Sequence, residues 1–462
     1  MTHLLIIGGS DAGISAALRA REVDPTIIAT VVMVDAFPNY SICGLPFYIS
    51  GEVPDWRSLA HRTRNEIESE GIRLLLNHTA RSIHPDSKTV EVENAAGQMQ
   101  AIAYDRLVIA TGAVPIRPPI VGINLPGVYL LHTMEDSFRI HEHVTERYPK
   151  TVLIVGGGYI GLEMADALRH RGMQVTLVEM AETVLPVTVD TGLGRVVEDE
   201  LRRNDVEVIR QVAIETIHPA GSSLAVSGSQ GFQRTVDLVL VVVGVRPFSE
   251  LAVAAGIQTG VRGAIRVSRR METSAPDIYA AGDCVETWHR VANQNTYMPL
   301  GTTAHKQGRI AGENAAGGRR EFAGSLGTQV VKVFDLAIAR TGLREKEALE
   351  SGFNPFSTAS KTWDHKAYYP GAQEILIRVT GDRQSGRLLG AQMLGHWQSE
   401  IAKRIDIFAT ALFHEMKLEA IADLDLSYTP PISSPWDPVQ ISAQAWVKAQ
   451  ENHVSLNKEQ VD

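Results

Sequence analysis

Cys43 is the residue whose surroundings in this sequence point most directly to chemistry. It is one of 2 cysteines among 462 residues, and Gly44 and Pro46 follow it. The apolar residues after Cys43 predict a short helix, and Pro46 suits the first turn of such a helix. Backbone N–H groups and the helix dipole favour a thiolate before a helix start, and a thiolate can form a mixed disulfide or persulfide. The alternative is a buried cysteine that only fills space.

The N-terminal residues show the pattern of a unit that binds a dinucleotide. Residues 4–7 predict a strand, and Gly8 can make the tight turn that follows it. Gly13 allows close packing of the next helix, whereas Ser10 replaces the second glycine of the G-x-G-x-x-G pattern. Asp35 closes the next strand at the spacing of an acid that binds ribose hydroxyls. A Rossmann-like turn without a ligand is the alternative.

The same pattern recurs later, and the second copy is complete. Gly156, Gly158 and Gly161 follow a predicted strand and precede a predicted helix. Glu179 ends the next strand, where a carboxylate accepts from an adenosine 2′-hydroxyl and repels a 2′-phosphate. No Arg or Lys follows directly, so the sequence favours NADH over NADPH, unless an arginine elsewhere in the fold binds the phosphate.

Three further strands end in small residues at which a ligand can approach the backbone. Residues 107–110 lead into Thr111 and Gly112, and residues 238–243 lead into Gly244. Asp283 follows a third strand, where it can accept hydrogen bonds from a ligand polyol. Its alternative role is the N-cap of a helix.

The C-terminal third of the sequence shows a different pattern of predicted strands and helices. Residues 328–334 predict a strand, residues 374–379 and 387–394 a hairpin, and residues 401–414 an amphipathic helix. These patterns predict a third domain of α+β character. Residues 451–462 are polar and predict a frayed tail.

The composition excludes several classes of function. A net charge of −9 argues against a nucleic-acid-binding surface. No apolar run reaches the roughly 18 residues of a membrane span, and 2 cysteines cannot form a disulfide framework. These features predict a cytoplasmic protein that binds neither membrane nor nucleic acid. The 15 histidines are scattered without a ligand motif, so the sequence predicts no metal site.

Together these landmarks resemble the pyridine nucleotide–disulfide oxidoreductase family. Within it, the chain is most similar to the single-cysteine branch of coenzyme A-disulfide reductases, NADH-dependent persulfide reductases, NADH oxidases and NADH peroxidases. The resemblance implies an α/β fold with two Rossmann-like domains and an α+β dimerisation domain. The implied FAD-binding domain covers residues 1–118 and 246–325. The NAD(H)-binding domain is inserted at 119–245, and the dimerisation domain covers 326–450, before the tail at 451–462.

The resemblance assigns FAD to the first glycine unit and NADH to the second, with NADPH less favoured. The residues implied to bind these cofactors are Gly8, Ser10, Gly13, Asp35, Asn39, Thr111, Gly112, Gly156, Gly158, Tyr159, Ile160, Gly161, Glu163, Glu179, Gly244, Gly282, Asp283, Pro299 and Leu300. Among these, Tyr159 resembles the aromatic side chain that covers the flavin until nicotinamide displaces it. Glu163 is implied to approach the nicotinamide.

Three positions distinguish members of the branch. Tyr48 stands five residues after Cys43, where the two-cysteine branch has its second cysteine. The segment from Tyr428 to Ser434 is similar to the Tyr-x-Pro-Pro-x-Ser-Ser of coenzyme A-disulfide and persulfide reductases. Asp11 replaces the histidine that oxidases and peroxidases usually carry in the first glycine turn.

The implied activity is reduction by NADH, through flavin and Cys43, of a low-molecular-weight disulfide, persulfide or polysulfide. The implied substrate is a small thiol or disulfide, with coenzyme A derivatives as one class. Related reductases meet the phosphates of coenzyme A at the first helix, which here carries Arg19 and Arg21; the alternative is that both are solvated surface arginines. In a homodimer, Tyr428 of the partner subunit is the candidate proton donor, with Tyr368 or Tyr369 as a second candidate. Two alternatives remain: an NADH oxidase or peroxidase that cycles a Cys43 sulfenic acid, and a flavoprotein redox sensor or reductase of a partner protein.

Overall fold

The first sheet has five parallel strands and belongs to the N-terminal unit. The structure, a computed structural model, describes residues 1–459, with side chains to residue 452. The strand order across this sheet is Ile278–Ala280, Arg106–Ile109, His3–Ile7, Ile28–Val32 and Ile72–Leu75. The central strand is apolar throughout its buried part because helices cover both faces of a parallel sheet. Since parallel strands end at one edge, the residues that follow them meet there.

A second five-stranded parallel sheet repeats this arrangement. Its order is Val206–Arg210, Gln174–Glu179, Thr151–Val155, Leu238–Val241 and Val128–Tyr129. Thr151–Val155 occupies the centre, as His3–Ile7 does in the first sheet. The glycine turns of both units therefore follow a central strand, which is the switch point where open α/β sheets bind ligands.

Short antiparallel sheets accompany the two parallel ones. One contains His78–His84, Thr89–Asn94 and Met99–Ala103, and another contains Ile214–Ala220, Ser223–Gly228 and Gln233–Val236. Thr287–His289 pairs with Gln294–Thr296. Ala113–Pro115 pairs with Val245–Pro247, so the chain leaves the first unit and returns to it along one two-stranded ribbon. This pairing agrees with an inserted second unit, whereas the boundaries at residues 118, 245 and 325 stay predictions.

The C-terminal unit is an antiparallel sheet covered by helices. Its strand order is Gln329–Val333, Leu336–Gly342, Leu388–His396, Glu374–Asp382 and Pro355–Trp363. The helices Ile401–Phe413, Leu418–Ala422 and Pro438–Glu459 belong to it. The last helix differs from the frayed tail predicted for residues 451–462: the buried Val439, Ala443 and Trp446 anchor it, and it continues to Glu459. Residues 460–462 lie outside the described part of the chain.

Helices link the strands of the parallel sheets. The helices outside the C-terminal unit are Asp11–Val23, Leu45–Ser50, Arg64–Ser69, Met134–Arg147, Tyr159–His170, Thr191–Arg203, Glu250–Ala254 and Gly301–Ala315. The short helix Glu345–Glu350 instead lies between two strands of the C-terminal sheet. Short 3₁₀ turns occur at Ile42–Gly44, Trp56–Leu59, Ser229–Gly231 and Val261–Gly263. Among the described residues, no helix combines the length and the apolar character needed to cross a bilayer.

Helices Asp11–Val23 and Gly301–Ala315 cross in unusually close contact. A Cβ on Gly308 would lie 2.2 Å from the carbonyl oxygen of Ala12, and a Cβ on Gly312 would lie 2.1 Å from that of Ala16. Both contacts are with backbone, which cannot move aside as a side chain can. Glycine at these positions therefore fixes the spacing of two helices that begin at the edge of the first sheet.

We expect Gly308→Ala to destabilise the protein by about 1–3 kcal/mol, because the added methyl group forces the two helices apart. Differential scanning calorimetry should show a lower apparent melting temperature. Gly192→Ala is the matched control, because this helical glycine is exposed and a Cβ there meets nothing within 4 Å. A Gly308→Ala variant that melts at or above the wild-type temperature would contradict this account of the helix crossing.

Candidate active site

The first glycine turn is so closely packed that two of its positions require glycine. Gly8 has a φ of +107°, and a Cβ there would lie 2.0 Å from the carbonyl oxygen of Ala110. A Cβ on Gly13 would lie 1.8 Å from the carbonyl oxygen of Gly8. Ser10 is exposed and caps helix Asp11–Val23 without a side-chain hydrogen bond. The N–H groups of this helix start thus remain available to an anion such as a pyrophosphate.

Two carboxylates flank this turn. Asp35 accepts a hydrogen bond of 2.9 Å from the Phe37 backbone N–H, and burial raises its pKa. Asp283 is half-buried, and no donor among the described residues reaches its carboxylate. Burial, with a contribution from Asp11, raises the pKa of Asp283 to about 6. The helix N-cap alternative for Asp283 is wrong, because a turn and the strand Thr287–His289 follow it.

Three other predicted flavin-site residues lie at or near the same edge. Asn39 is buried, and its side-chain amide donates to Asp11 Oδ1 at 3.3 Å. The Thr111 hydroxyl donates to the Phe248 carbonyl oxygen at 2.5 Å, so it supports the turn itself. Gly112 has a φ of +74° and open space where a Cβ would point. Its backbone is therefore open to a ligand.

A second helix start faces this edge. Pro299 and Leu300 precede helix Gly301–Ala315, and Leu300 is its N-cap residue without a side-chain cap. Gly282 has a φ of +86°, and a Cβ there would lie 2.8 Å from the Ala12 side chain. Two uncapped helix starts, the open Gly112 backbone and the unpartnered Asp283 carboxylate fit the phosphates and polyol chain of a flavin dinucleotide.

The second glycine turn has the same close packing. Gly156 has a φ of +113°, and a Cβ there would lie 2.5 Å from the Val242 carbonyl oxygen. A Cβ on Gly161 would lie 2.0 Å from the carbonyl oxygen of Gly156. Gly158 instead has open space at its Cβ position, and Gly244 has a φ of +106°. The middle glycine is therefore the position at which a second dinucleotide can approach the backbone.

Glu179 is held at the edge of this second site by two backbone groups. Its Oε2 accepts from the Gly157 N–H at 2.7 Å, and its Oε1 accepts from the Ala181 N–H at 2.8 Å. No Arg or Lys side chain of the described residues forms an ion pair with it. The carboxylate therefore presents an uncompensated negative charge, which suits a ribose hydroxyl and opposes a phosphate.

Helix Tyr159–His170 carries two predicted nicotinamide-site residues, Tyr159 and Glu163. The buried Tyr159 hydroxyl has no hydrogen bond of good geometry, although Thr188 lies near it, and burial raises its pKa to about 12. Burial and the nearby Asp166 raise the pKa of Glu163 to about 7. Glu163 can therefore gain or lose a proton near neutral pH. Ile160 lies between these residues and packs against the core.

Asp166 is a site residue that sequence reasoning missed. It follows Glu163 by one helical turn, and this i,i+3 spacing could have signalled the interaction. Its Oδ2 accepts from the Phe334 N–H at 2.8 Å and lies 3.5 Å from Lys332 Nζ. The C-terminal sheet thus fixes the carboxylate that acts on Glu163.

Cys43 lies in the 3₁₀ turn Ile42–Gly44, directly before helix Leu45–Ser50. Cys43 is exposed at the surface of the protein. Desolvation raises the pKa of the thiol, and the carboxylates of Glu163, Asp11 and Asp283 raise it further. The pKa of the thiol is therefore raised, whereas the helix start alone would lower it, because desolvation and three acidic groups outweigh the dipole of a six-residue helix.

Cys43 has no cysteine partner. Tyr48 is buried and stacks on His141 with ring centroids 4.6 Å apart. Cys284 is fully buried, and its thiol donates to the carbonyl oxygens of Ile109 and Ala281. Burial raises the pKa of Cys284 to about 11, so this cysteine is structural.

The three predicted proton-donor tyrosines separate into a pair and a single residue. Tyr368 and Tyr428 are exposed. The pKa of Tyr368 is raised, mainly by desolvation and to a smaller extent by the neighbouring Tyr428 hydroxyl. Tyr369 instead contacts the His365 ring, with centroids 5.8 Å apart. Among the described residues of one chain, none of the three forms a hydrogen bond or a ring contact with a group at Cys43.

The arginines expected near a coenzyme A phosphate already have protein partners. Arg19 pairs with Glu313 at 2.7 Å and with Glu22 at 2.9 Å. Arg21 donates to backbone carbonyl oxygens, including that of Ile27 at 2.9 Å. The surface of helix Asp11–Val23 therefore offers no free arginine at these positions.

Family profiles match almost the whole chain. Residues 2–308 match the profile described as pyridine nucleotide-disulphide oxidoreductase, and residues 328–438 match that family's dimerisation domain. The second match covers the antiparallel sheet and the segment that carries the paired tyrosines.

Relatives that align with nearly the whole chain are named as oxidoreductases that use a nicotinamide dinucleotide. An NAD(P)H sulfur oxidoreductase (CoA-dependent) from Pyrococcus abyssi is 35% identical, over 96% of this chain and 97% of its own. An NADH oxidase from Methanocaldococcus jannaschii is 34% identical, over 97% of this chain and 99% of its own. The structure of an NAD-dependent persulfide reductase from A. fulgidus superimposes with a TM-score of 0.94 at 36% identity, over 97% of this chain and 84% of that one.

These matches confirm the fold class and the enzyme class that the sequence predicts, with FAD and a nicotinamide dinucleotide as the family's cofactors. The first match covers both glycine turns and Cys43, and the second covers the C-terminal sheet. The chain belongs to the pyridine nucleotide-disulphide oxidoreductase family.

Proposed function

We propose that this protein uses NADH and FAD to reduce a low-molecular-weight disulfide, persulfide or polysulfide at Cys43. The placement of Cys43 carries the proposal: an accessible thiol without a cysteine partner lies within electrostatic range of Asp11 and Asp283, at the edge that fits a flavin. The Pyrococcus and A. fulgidus relatives named for sulfur and persulfide reduction support it.

Cys43 acts as the nucleophile in the proposed reaction. FAD, when bound, would supply the redox chemistry, which is acceptance of a hydride from NADH and transfer of two electrons to sulfur. The Cys43 thiolate attacks one sulfur of the substrate disulfide, which breaks the substrate S–S bond and releases one thiolate. Two electrons and a proton then cleave the mixed disulfide, release the second thiol and restore Cys43. A persulfide substrate gives hydrogen sulfide in the same balance.

Two residues of the chain can supply protons for this reaction. Glu163 exchanges a proton near neutral pH, because burial raises its pKa to about 7. Tyr428 is exposed on the dimerisation domain, next to Tyr368, and forms no hydrogen bond with Cys43 of its own chain. We propose a homodimer in which Tyr428 of the partner subunit protonates the leaving thiolate at Cys43.

Exposed aromatic residues of the C-terminal unit support the homodimer. A large exposed apolar patch on a domain marks an interaction surface. The exposed aromatic residues of this unit include Trp363, Tyr368, Trp397, Phe413, Tyr428 and Trp436.

A second candidate function is that of an NADH oxidase, which the Methanocaldococcus relative favours by name. In that case Cys43 alternates between thiolate and sulfenic acid. Asp11 opposes this candidate, because it stands in the first glycine turn where oxidases and peroxidases usually carry a histidine as acid–base near the cysteine.

We expect Cys43→Ser to abolish sulfur turnover, with a loss of about a thousandfold or more, because serine lacks the nucleophilic thiolate. FAD content and NADH-dependent reduction of ferricyanide should stay at wild-type levels, since neither needs the sulfur. Release of thiol or hydrogen sulfide and oxidation of NADH should be measured in parallel.

Cys284→Ala is the matched control, because it removes the other thiol from a buried site. It should keep sulfur turnover if it folds with bound FAD. Undiminished sulfur turnover by Cys43→Ser would contradict the proposed role of Cys43, whereas loss in both variants with normal FAD content would contradict the distinction between the two cysteines.

We expect Glu179→Gln to lower kcat/KM for NADH by about 10–100-fold, because a hydrogen bond to a charged acceptor contributes about 1.5–3 kcal/mol. The same change should raise kcat/KM for NADPH, since the negative charge that repels the 2′-phosphate is gone. Steady-state kinetics with NADH and with NADPH give the ratio of the two kcat/KM values. Glu182→Gln is the control, because Glu182 is exposed and pairs with Arg195. A wild-type preference for NADPH, unchanged by Glu179→Gln, would contradict the assignment.

A further inference from the structure

Asp11, His61 and His305 come together from three separate parts of the chain. Asp11 begins helix Asp11–Val23, and His305 lies in the first turns of helix Gly301–Ala315. His61 follows the 3₁₀ turn Trp56–Leu59. One ligand atom from each residue lies within 4.8 Å of the others. The sequence predicted no metal site because these residues are far apart, and the close helix crossing at Gly308 brings two of them together.

The distances suit a small divalent cation. His305 Nε2 lies 3.3 Å from Asp11 Oδ1. Bonds of about 2.0–2.1 Å in a tetrahedral zinc site place ligand atoms about 3.3 Å apart. His61 is exposed, and its nearest ring nitrogen lies within 4.8 Å of the ligand atoms of the other two residues. Two ligands are therefore already at the spacing of a zinc site, and the third needs only a small movement.

Neighbouring groups orient these side chains as outer-shell partners orient metal ligands. Ser15 Oγ lies 2.9 Å from His305 Nδ1, which leaves Nε2 pointing at Asp11. The Asn39 side-chain amide donates to Asp11 Oδ1, and the Asn39 carbonyl oxygen accepts from the His61 N–H at 2.9 Å. A hydrogen bond to the second ring nitrogen of a ligating histidine is the usual means of fixing its tautomer and direction.

We propose that Asp11, His61 and His305 bind a Zn²⁺ ion. Two imidazoles and one carboxylate are a donor set that zinc accepts, whereas Mg²⁺ and Ca²⁺ prefer oxygen ligands. Three protein ligands leave a fourth position for water, and solvent reaches the site because the side chains of His305 and Asp11 are 43% and 23% exposed.

The location gives this site a consequence for Cys43. Asp11 is one of the carboxylates whose charge acts on the thiol, so the cation lies on the same side of the fold. Zn²⁺ bound here should offset the charge of Asp11 on the thiol and so speed sulfur turnover at neutral pH, and a chelator should reverse the change. This consequence rests on the proposed function, whereas the binding itself does not.

The test uses FAD-loaded, tag-free Cys43→Ser protein, so that the reactive thiol cannot supply the metal ligand. Isothermal titration with ZnCl₂ should give one ion per chain, and CoCl₂ should give the visible absorption of four-coordinate Co²⁺. His305→Asn and His61→Asn should each weaken binding by more than about tenfold. Ser15→Ala should weaken it by about 10–100-fold, the range for a lost outer-shell partner.

His218→Asn is the matched control, since His218 is exposed on the strand Ile214–Ala220. It should bind zinc as the parent does. No binding by the parent, or equal binding by the parent and by both histidine variants, would overturn the site. Because the parent lacks Cys43, neither result depends on whether the protein reduces sulfur compounds.

Discussion

The close approach of backbone to backbone at the two glycine turns is the constraint on which the rest of this structure depends. A Cβ on Gly8 or Gly156 would lie 2.0 or 2.5 Å from a carbonyl oxygen of the neighbouring strand end. Only glycine permits this contact, and the contact holds each helix start against the edge where parallel strands end. Asp283, Glu179 and the uncapped N–H groups are at one edge of their sheets for this reason.

The electrostatics around Cys43 follow from that convergence. Desolvation raises the pKa of the thiol, and so do Glu163 of the second unit and the carboxylates of Asp11 and Asp283 at the edge that gathers helix starts for phosphates. A raised pKa means that the thiolate fraction grows as pH rises toward and through that value, so the free protein should react faster at alkaline pH. A cation at Asp11 would offset part of this field, which connects the proposed zinc site to the proposed chemistry.

The sequence predicted the features that are local and missed those that need distant residues. Glycine spacing, the acid at Glu179 and the absence of a second cysteine near Cys43 are each contained in one short segment, and the family and fold class followed from them. The pKa of Cys43 depends on carboxylates from residues 11, 163 and 283, which no local pattern joins. Tertiary packing likewise decides three other features. These are whether Asp283 caps a helix, how close His61 comes to His305, and where the last helix ends.

Anaerobic stopped-flow spectroscopy tests the central claim, that electrons leave this protein through Cys43 to a sulfur compound. The enzyme is reduced with one equivalent of NADH and then mixed with coenzyme A disulfide, a persulfide, polysulfide, hydrogen peroxide or oxygen. The account predicts rapid reoxidation by at least one sulfur compound, with release of thiol or hydrogen sulfide, and slow reoxidation by peroxide and oxygen. Rapid reoxidation by oxygen or peroxide, with none by any sulfur compound, would contradict it.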